Sequence, residues 1–306
     1  MAELIRAKGA RRVSVVLPAR DEAATVGAIV ERIRTELVEA VPLIDELVVI
    51  DSDSSDSTAE RAASAGAIVH AAKEIRPDLG PATGKGEALW KSLFVTTGDV
   101  IVFIDTDLIA WGTQFVTGLI GPLLTGDSVS LVKACYHRPL DTEHPADAEE
   151  GGGRVTELVA RPLLTLGWPE LSGVIQPLAG EWAVRRELIE TLALPTGYGI
   201  EIAVLIDTAT RLGPAAIAQV DLGTRAHRHQ GNRALGVMAL QVMAAAERRR
   251  GVPPADVVDL RQFSLVTDDI EETVRHVPVI ERPPACTIAG YAGGTLPRKV
   301  HPEHET

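Results

Sequence analysis

Cysteine is nearly absent from this 306-residue chain, which has only Cys135 and Cys286. Two thiols so far apart in sequence suggest neither a disulfide framework nor a cysteine-based zinc site. Long apolar runs are missing, so no membrane span is predicted, and the stretch Met1-Ala2-Glu3-Leu4-Ile5-Arg6-Ala7-Lys8 lacks a signal-peptide core. The expectation is a soluble, cytoplasmic protein with no membrane partner. Positive charge is in deficit: 30 Lys and Arg against 42 Asp and Glu give a formal net charge of −12. That balance argues against nucleic acid and against an anionic membrane surface as partners. A phosphate-bearing ligand would have to meet a local basic pocket rather than a positive field. No internal repeat or low-complexity tract is visible. With 45% hydrophobic residues, the chain is long enough for one large domain or a core domain with an appendage.

What is present is alternation of strand and helix patterns. Val13 to Leu17 reads as a strand ended by Pro18. From Ala23 to Ala40, Val26, Ile29, Val30, Ile33 and Leu37 form a helical stripe. Strands follow at Leu47–Ile50 and Ala67–His70, with a short helix between them closed by Gly66. A helix is expected over Glu87–Thr97. Residues 100–104, Val-Ile-Val-Phe-Ile, form an unbroken apolar strand that predicts burial on both faces. Such alternation implies a parallel sheet with right-handed crossovers. Further on, the patterns predict a strand at Leu131–Tyr136 and an acidic, Gly-rich loop at Asp141–Gly153. A helix at Val155–Leu166 is expected to break at Arg161-Pro162. Trp182–Val184 and Ala216–Leu222 read as strands, Ile200–Arg211 and Leu235–Arg250 as helices. After Pro253 the pattern weakens, and the tail from Arg282 is expected to be extended or loosely ordered.

The apolar strand at 100–104 runs into Asp105-Thr106-Asp107. Carboxylates at the carboxyl end of a buried strand lie where open α/β sheets bind ligands, and could hold a divalent cation that grips a diphosphate. Alone, Asp-x-Asp is a weak signal, and a solvated strand end or turn start is the more common meaning of such a pair. Pro18-Ala19-Arg20-Asp21-Glu22 is either helix capping or a nucleotide pocket. Gly84-Lys85-Gly86-Glu87 opens a helix; its glycines allow close backbone approach, and Lys85 opposes the helix dipole, a placement that makes sense if Lys85 neutralises phosphate, against a surface lysine as the plain alternative. It is not a P-loop, whose spacing is absent. Gly151-Gly152-Gly153-Arg154-Val155-Thr156 puts backbone N–H groups, a guanidinium and a hydroxyl at a helix start, as anion binding requires, although a flexible linker would look similar. Glu201, after Gly197-Tyr198-Gly199, could bind sugar hydroxyls or cap its helix. Arg225-Ala226-His227-Arg228-His229, if extended, aligns Arg225, His227 and His229 on one face, where His227 could join Asp107 at a metal and the arginines could hold phosphate; a basic surface loop is the alternative.

These segments, with Val15-Val16-Leu17-Pro18-Ala19, Asp51-Ser52 and Gln176-Pro177-Leu178, together resemble the glucosyl-3-phosphoglycerate synthases over about residues 12 to 235. These are retaining GT-A glycosyltransferases, and the mannosyl-3-phosphoglycerate synthases are a similar subgroup. The string Gly151–Leu158 carries the resemblance most specifically. It implies an α/β GT-A fold, with a Rossmann-like, mostly parallel sheet flanked by helices and a helical C-terminal extension. The parts would be a nucleotide-sugar half at 1–130, an acceptor half at 131–234 and a C-terminal region at 235–306. It also implies a nucleotide pocket of Pro18, Ala19, Arg20, Glu22 and Ser52, with Lys85, Asp105, Thr106 and Arg225 on the donor. Leu178, Tyr198 and Glu201 would surround the hexose. Gly153, Arg154, Val155 and Thr156 would hold 3-phosphoglycerate, with His229 on the acceptor side. Asp107 and His227 would bind Mg²⁺ or Mn²⁺. The chain departs from the pattern at Arg20-Asp21 (leucine-asparagine expected), Asp53 (glycine), Ala179 (serine) and His229 (asparagine); Arg20 and Asp53 would flank the base pocket, which opens the choice of UDP- or GDP-sugar, and His229 could alter acceptor contacts.

The expected reaction is hexose transfer from a nucleotide-diphosphate sugar to the 2-hydroxyl of 3-phosphoglycerate, with Glu201, Asp107 and Lys85 as the catalytic set. A mannosyl transfer from GDP-mannose is the nearer alternative. A phosphohydrolase with an aspartyl nucleophile is more distant, since Ile109 stands where that chemistry wants threonine. A non-catalytic nucleotide-sugar sensor is the third. A homodimer is expected; the Leu235–Arg250 helix and the Pro-rich tail are either its contact or an internal packing face.

Overall fold

A computed structural model describes residues 1–137, 153–225, 231–266 and 269–293. The first half alternates as the pattern predicts: β1 (Val13–Ala19), α1 (Val26–Ile33), β2 (Glu46–Asp51), α2 (Thr58–Ser64), β3 (Ile68–Ala71), α3 (Lys85–Ser92) and β4 (Val100–Phe103). After α4 (Gln114–Thr125) come β5 (Leu131–His137), α5 (Arg161–Gly167), β6 (Trp182–Arg185), α6 (Arg186–Ile189), β7 (Leu194–Pro195), α7 (Ile200–Leu212) and β8 (Ile217–Thr224). Then follow α8 (Asn232–Arg249) and the strands β9 (Val257–Val266), β10 (Asp269–Pro278) and β11 (Glu281–Arg282).

Seven strands form one sheet in the order β3-β2-β1-β4-β6-β5-β8. β3, β2, β1 and β4 run parallel, β6 runs antiparallel to both neighbours, and β5 pairs parallel with β8. One edge of the sheet therefore collects the carboxyl ends of β1, β2, β4, β5 and β8 and the amino end of β6. β1 shows why the strands read as unbroken apolar runs. Val15 and Leu17 pack with α1 and α4, while Val16 packs with α3 and α7 on the opposite face. A strand covered on both sides needs no polar alternation.

The structure corrects several expected boundaries. Pro18 does not end β1; it pairs with Ile50, and the strand reaches Ala19. The Pro18 carbonyl accepts from Thr106 Oγ1 on the β4 side, where ladder pairing has stopped, so the missing N–H costs no sheet bond. The first long helix continues from α1 as a π-helical stretch, Arg34–Glu39. Arg161-Pro162 breaks nothing. A π-helical segment, Thr156–Ala160, leads into α5, whose first turn requires no N–H from Pro162. α3 stops at Ser92 rather than Thr97, because Arg186 captures the Leu93 carbonyl and the Thr96 hydroxyl.

The C-terminal region differs most. Sequence weakening after Pro253 suggested little order, yet β9 and β10 form a full antiparallel hairpin. Most of its side chains face solvent, so burial left no strong periodic signal. The tail is also anchored. Arg282 gives Nε and Nη2 to the two Glu87 carboxylate oxygens at 2.8 Å each, bonds the Leu79 and Gly80 carbonyls, and lies 5.3 Å over the Trp90 ring. Glu87 is almost wholly buried, and its other cation, Lys91, stands at 3.4 Å. Arg282→Met should therefore cost about 3 kcal/mol, the scale for stripping one partner from a buried ion pair. Guanidinium unfolding checks this, with a loss under about 1 kcal/mol counting against the anchor.

Candidate active site

The sheet edge opens into a cavity of about 690 Å³. Pro18, Ala19, Arg20 and Glu22 enter it from the end of β1, Ser52 from β2, and Asp105, Thr106 and Asp107 from β4. Gly153, Arg154, Val155 and Thr156 also line it, as do Leu178, Tyr198 and Glu201. Lys85 and Arg225 complete it. Every expected site residue within the described residues thus meets in one cavity. His227 and His229 lie outside the described residues.

The centre of the site is an ion-pair lattice. Lys85 Nζ stands 2.6 Å from Asp105 Oδ1 and 2.9 Å from Glu201 Oε1, joining the start of α3, the end of β4 and the start of α7. Burial opposes the charge, but the Asp105 and Glu201 carboxylates outweigh it and hold the ammonium well above its usual range. This explains the lysine at a helix start: two carboxylates, not the dipole, set its energy. The flanking glycines serve backbone contact. Gly84 sits at φ +123°, and a Cβ at Gly86 would fall 1.9 Å from the Pro195 carbonyl oxygen. The close approach expected there is thus to the neighbouring chain segment.

Arg225 forms the second knot. Its Nη2 donates to Asp107 Oδ1 at 2.9 Å and Asp105 Oδ2 at 3.1 Å, and lies 3.4 Å from Glu181 Oε1. Its Nη1 donates to the Tyr136 hydroxyl, which donates to Glu181 Oε2 at 2.7 Å. Burial pushes the Glu181 carboxyl up, against the pull of Arg225. Among the described residues, Asp105, Asp107, Glu181 and Glu201 pair with Lys85 and Arg225, two cations among four carboxylates. Elsewhere in the lining, Gly153 takes φ +119° and Arg154 Nη1 donates to Asn232 Oδ1 from α8.

Sequence reading missed Glu181, Tyr136, Lys133 and Gly180. A Cβ at Gly180 would come within 2.1 Å of Asp105 Oδ2, so only glycine leaves room for the lattice. A lone Glu before a strand and a lone Lys within one carry no spacing signal. Two departures from the family pattern have a backbone reason. Asp21 and Asp53 sit at φ +56° and +57°, the left-handed region that Asp tolerates among the few non-glycine residues that do.

Residues 14–193 match the family model "Glycosyl transferase family 2". The glucosyl-3-phosphoglycerate synthase of Mycolicibacterium smegmatis is 49% identical over 288 residues, 94% of this chain and 93% of the relative. That of Petrotoga mobilis is 40% identical over 307 residues, 94% of this chain and 91% of the relative. The Mycobacterium tuberculosis glucosyl-3-phosphoglycerate synthase in complex with Mn²⁺, UDP-glucose and phosphoglyceric acid superimposes with a TM-score of 0.83 at 47% identity, covering 93% of this chain and 94% of that one. The same enzyme with Mg²⁺ and UDP gives 0.82 at 46%, covering 92% and 94%. The expected GT-A fold is borne out.

Among the described residues, Arg225→Met would leave buried Glu181 with the Tyr136 hydroxyl as its hydrogen-bond partner. The expected loss at neutral pH is about 3 kcal/mol. A carboxyl whose folded pKa is raised contributes stability below its unfolded pKa and loses it as pH rises through the folded value. The deficit of the variant should therefore shrink on acidification. Melts at about pH 5 and about pH 8 check this, an equal deficit at both being the contrary result.

Proposed function

This chain belongs to the glucosyl-3-phosphoglycerate synthases within glycosyl transferase family 2, and on that premise we propose that it moves glucose from UDP-glucose to the 2-hydroxyl of 3-phosphoglycerate, with retention at the anomeric carbon. The observation that carries this reading is the one cavity shared by Asp107 and Arg154. Donor and acceptor walls face each other across it.

Pro18, Ala19, Arg20, Glu22 and Ser52 form the nucleotide side. Lys85, Thr106 and Arg225 bring donors to the diphosphate, and the Asp105 carboxylate would accept from a ribose hydroxyl. Leu178, Tyr198 and Glu201 surround the hexose. Gly153, Arg154, Val155 and Thr156 orient the acceptor's phosphate and carboxylate, which turns a bimolecular encounter into a positioned one. His229 would sit on the acceptor side. The chain then divides into a donor half at 1–130, an acceptor half at 131–234 and a C-terminal region at 235–306.

The bond from the anomeric carbon to the diphosphate oxygen breaks, and the bond to the acceptor 2-oxygen forms. The hydroxyl proton leaves toward the departing phosphate. Glu201 is nearly buried and paired with Lys85 at 2.9 Å. A carboxylate so neutralised is suited to positioning the sugar rather than to attacking it. Among the described residues no three His, Cys, Asp or Glu side chains gather as a metal cluster. A surplus of carboxylates with few protein ligands suits Mg²⁺ or Mn²⁺ held jointly with substrate phosphate, and Asp107, with His227, would be its protein partner. When bound, the cation supplies Lewis-acid stabilisation to the departing diphosphate.

A cytoplasmic homodimer is part of the proposal. Phe263, Leu265 and Ile270 of the β9–β10 hairpin are 61%, 87% and 63% exposed, an apolar face suited to a second copy.

The reaction is tested by incubating the protein with 3-phosphoglycerate and UDP-glucose, GDP-glucose or GDP-mannose and weighing the products. The expected product is glucosyl-3-phosphoglycerate from UDP-glucose. Asp107→Ala should lower its formation about 100-fold in saturating Mg²⁺, the scale of losing one charge-stabilising group. Undiminished activity in that variant, or release of inorganic phosphate alone, would contradict the reading.

A further inference from the structure

The floor of the cavity on the sugar side is a short turn, residues 176–180, outside any helix or strand. Leu178 and Gly180 from this turn line the cavity. Two side-chain links tie it to β5. Gln176 Nε2 donates to the Tyr136 carbonyl at 2.6 Å, and its Oε1 accepts from the Tyr136 N–H at 3.3 Å. Lys133 Nζ donates to the Ala179 carbonyl at 2.7 Å.

Lys133 is 1% exposed and lies 5.8 Å over the Trp182 ring. Among the described residues it has no carboxylate at ion-pair distance. Fold stability does not account for it, because a buried cation without a contact partner is costly and an apolar side chain of like volume is often neutral or better. Its reach toward Ala179 does account for it. The next residue, Gly180, is packed so closely that a Cβ there would meet Asp105 Oδ2 at 2.1 Å and Lys85 Nζ at 2.7 Å. The Gly180 backbone thus sits against the Asp105–Lys85 pair, next to the peptide whose carbonyl Lys133 holds.

We propose that Lys133 is a positioning residue for the donor side of the cavity: by holding the Ala179 carbonyl it sets Leu178 against the sugar and seats the Gly180 backbone on the Asp105–Lys85 pair. The inference rests on the donor-site reading above. The charged groups around Lys133 are Glu201 from α7, Lys85 from α3, Glu181 before β6 and Asp105 after β4. Burial, only partly offset by these carboxylates, brings the ammonium down to about 7. The charged form therefore exists on the acid side of that value. A charge-assisted N–H···O bond is roughly twice as strong as a neutral one, so the clamp weakens as pH rises through it.

Lys133→Met is the test. The KM for UDP-glucose should rise at least about fivefold while the KM for 3-phosphoglycerate stays within about twofold, and Tm should not fall. In the native enzyme, kcat/KM for UDP-glucose should decline as pH rises through about 7, and this step should vanish in K133M. A donor KM within about twofold of native overturns the proposal, as does a joint rise of both KM values with a fall in Tm. Should K133M not fold, the native profile still decides, because a flat kcat/KM for UDP-glucose between roughly pH 6 and 8 also overturns it. A native enzyme that transfers no glucose overturns the donor-site reading and this inference together. Native transfer with K133M indistinguishable from it overturns the inference alone.

Discussion

The architecture turns on one ammonium shared by two carboxylates. Lys85 begins α3, Asp105 follows β4 and Glu201 begins α7, so a single pair of contacts at 2.6 and 2.9 Å locks three separate segments at the sheet edge. Arg225 extends the lock from β8 to Asp105, Asp107 and Glu181. In water such pairs would contribute little. Here burial raises both the Coulomb attraction and the cost of leaving any member unpaired. The surrounding fold is arranged to permit this density of charge: glycine at Gly180 where a Cβ would intrude, and glycines at Gly84 and Gly86 so that α3 can approach the strand-end backbone.

The sheet topology explains why so few residues of each strand suffice. Running β6 against its neighbours brings the amino end of that strand, with Gly180 and Glu181, to the edge where the parallel strands end. The site is thus assembled from single residues at many strand ends. That is the general habit of open α/β sheets, with the antiparallel strand supplying the buried acid.

The legible part of the molecule was the part whose burial leaves a pattern. Residues 100–104 are apolar without a break because both faces of β4 are covered, and the carboxylates that follow had to fall at the edge. Helix stripes such as Val26, Ile29, Val30 and Ile33 were readable for the same reason. Proline is expected to end a strand, yet at Pro18 pairing with β4 has already stopped while pairing with β2 continues. The β9–β10 hairpin was unreadable because most of its residues face solvent. Within the site, motifs dense in glycine and charge announced Lys85, Asp105, Asp107 and Arg154. Glu181, Tyr136 and Lys133 are scattered single residues whose meaning comes only from what surrounds them in space. The glycines at Gly84 and Gly86 were rightly associated with close approach, but the approach is to residues 195–197 of this chain.

The central claim is that one cavity presents a sugar donor and a small phosphorylated acid to each other across the Lys85 lattice. A crystal structure of the protein soaked with UDP, Mn²⁺ and 3-phosphoglycerate tests it most directly. The account predicts the diphosphate beside Asp107 and Lys85, with the acid's phosphate on Gly153–Thr156 in the same cavity. Density for the acid on any other surface, or a nucleotide bound away from the β1, β2 and β4 ends, would contradict it.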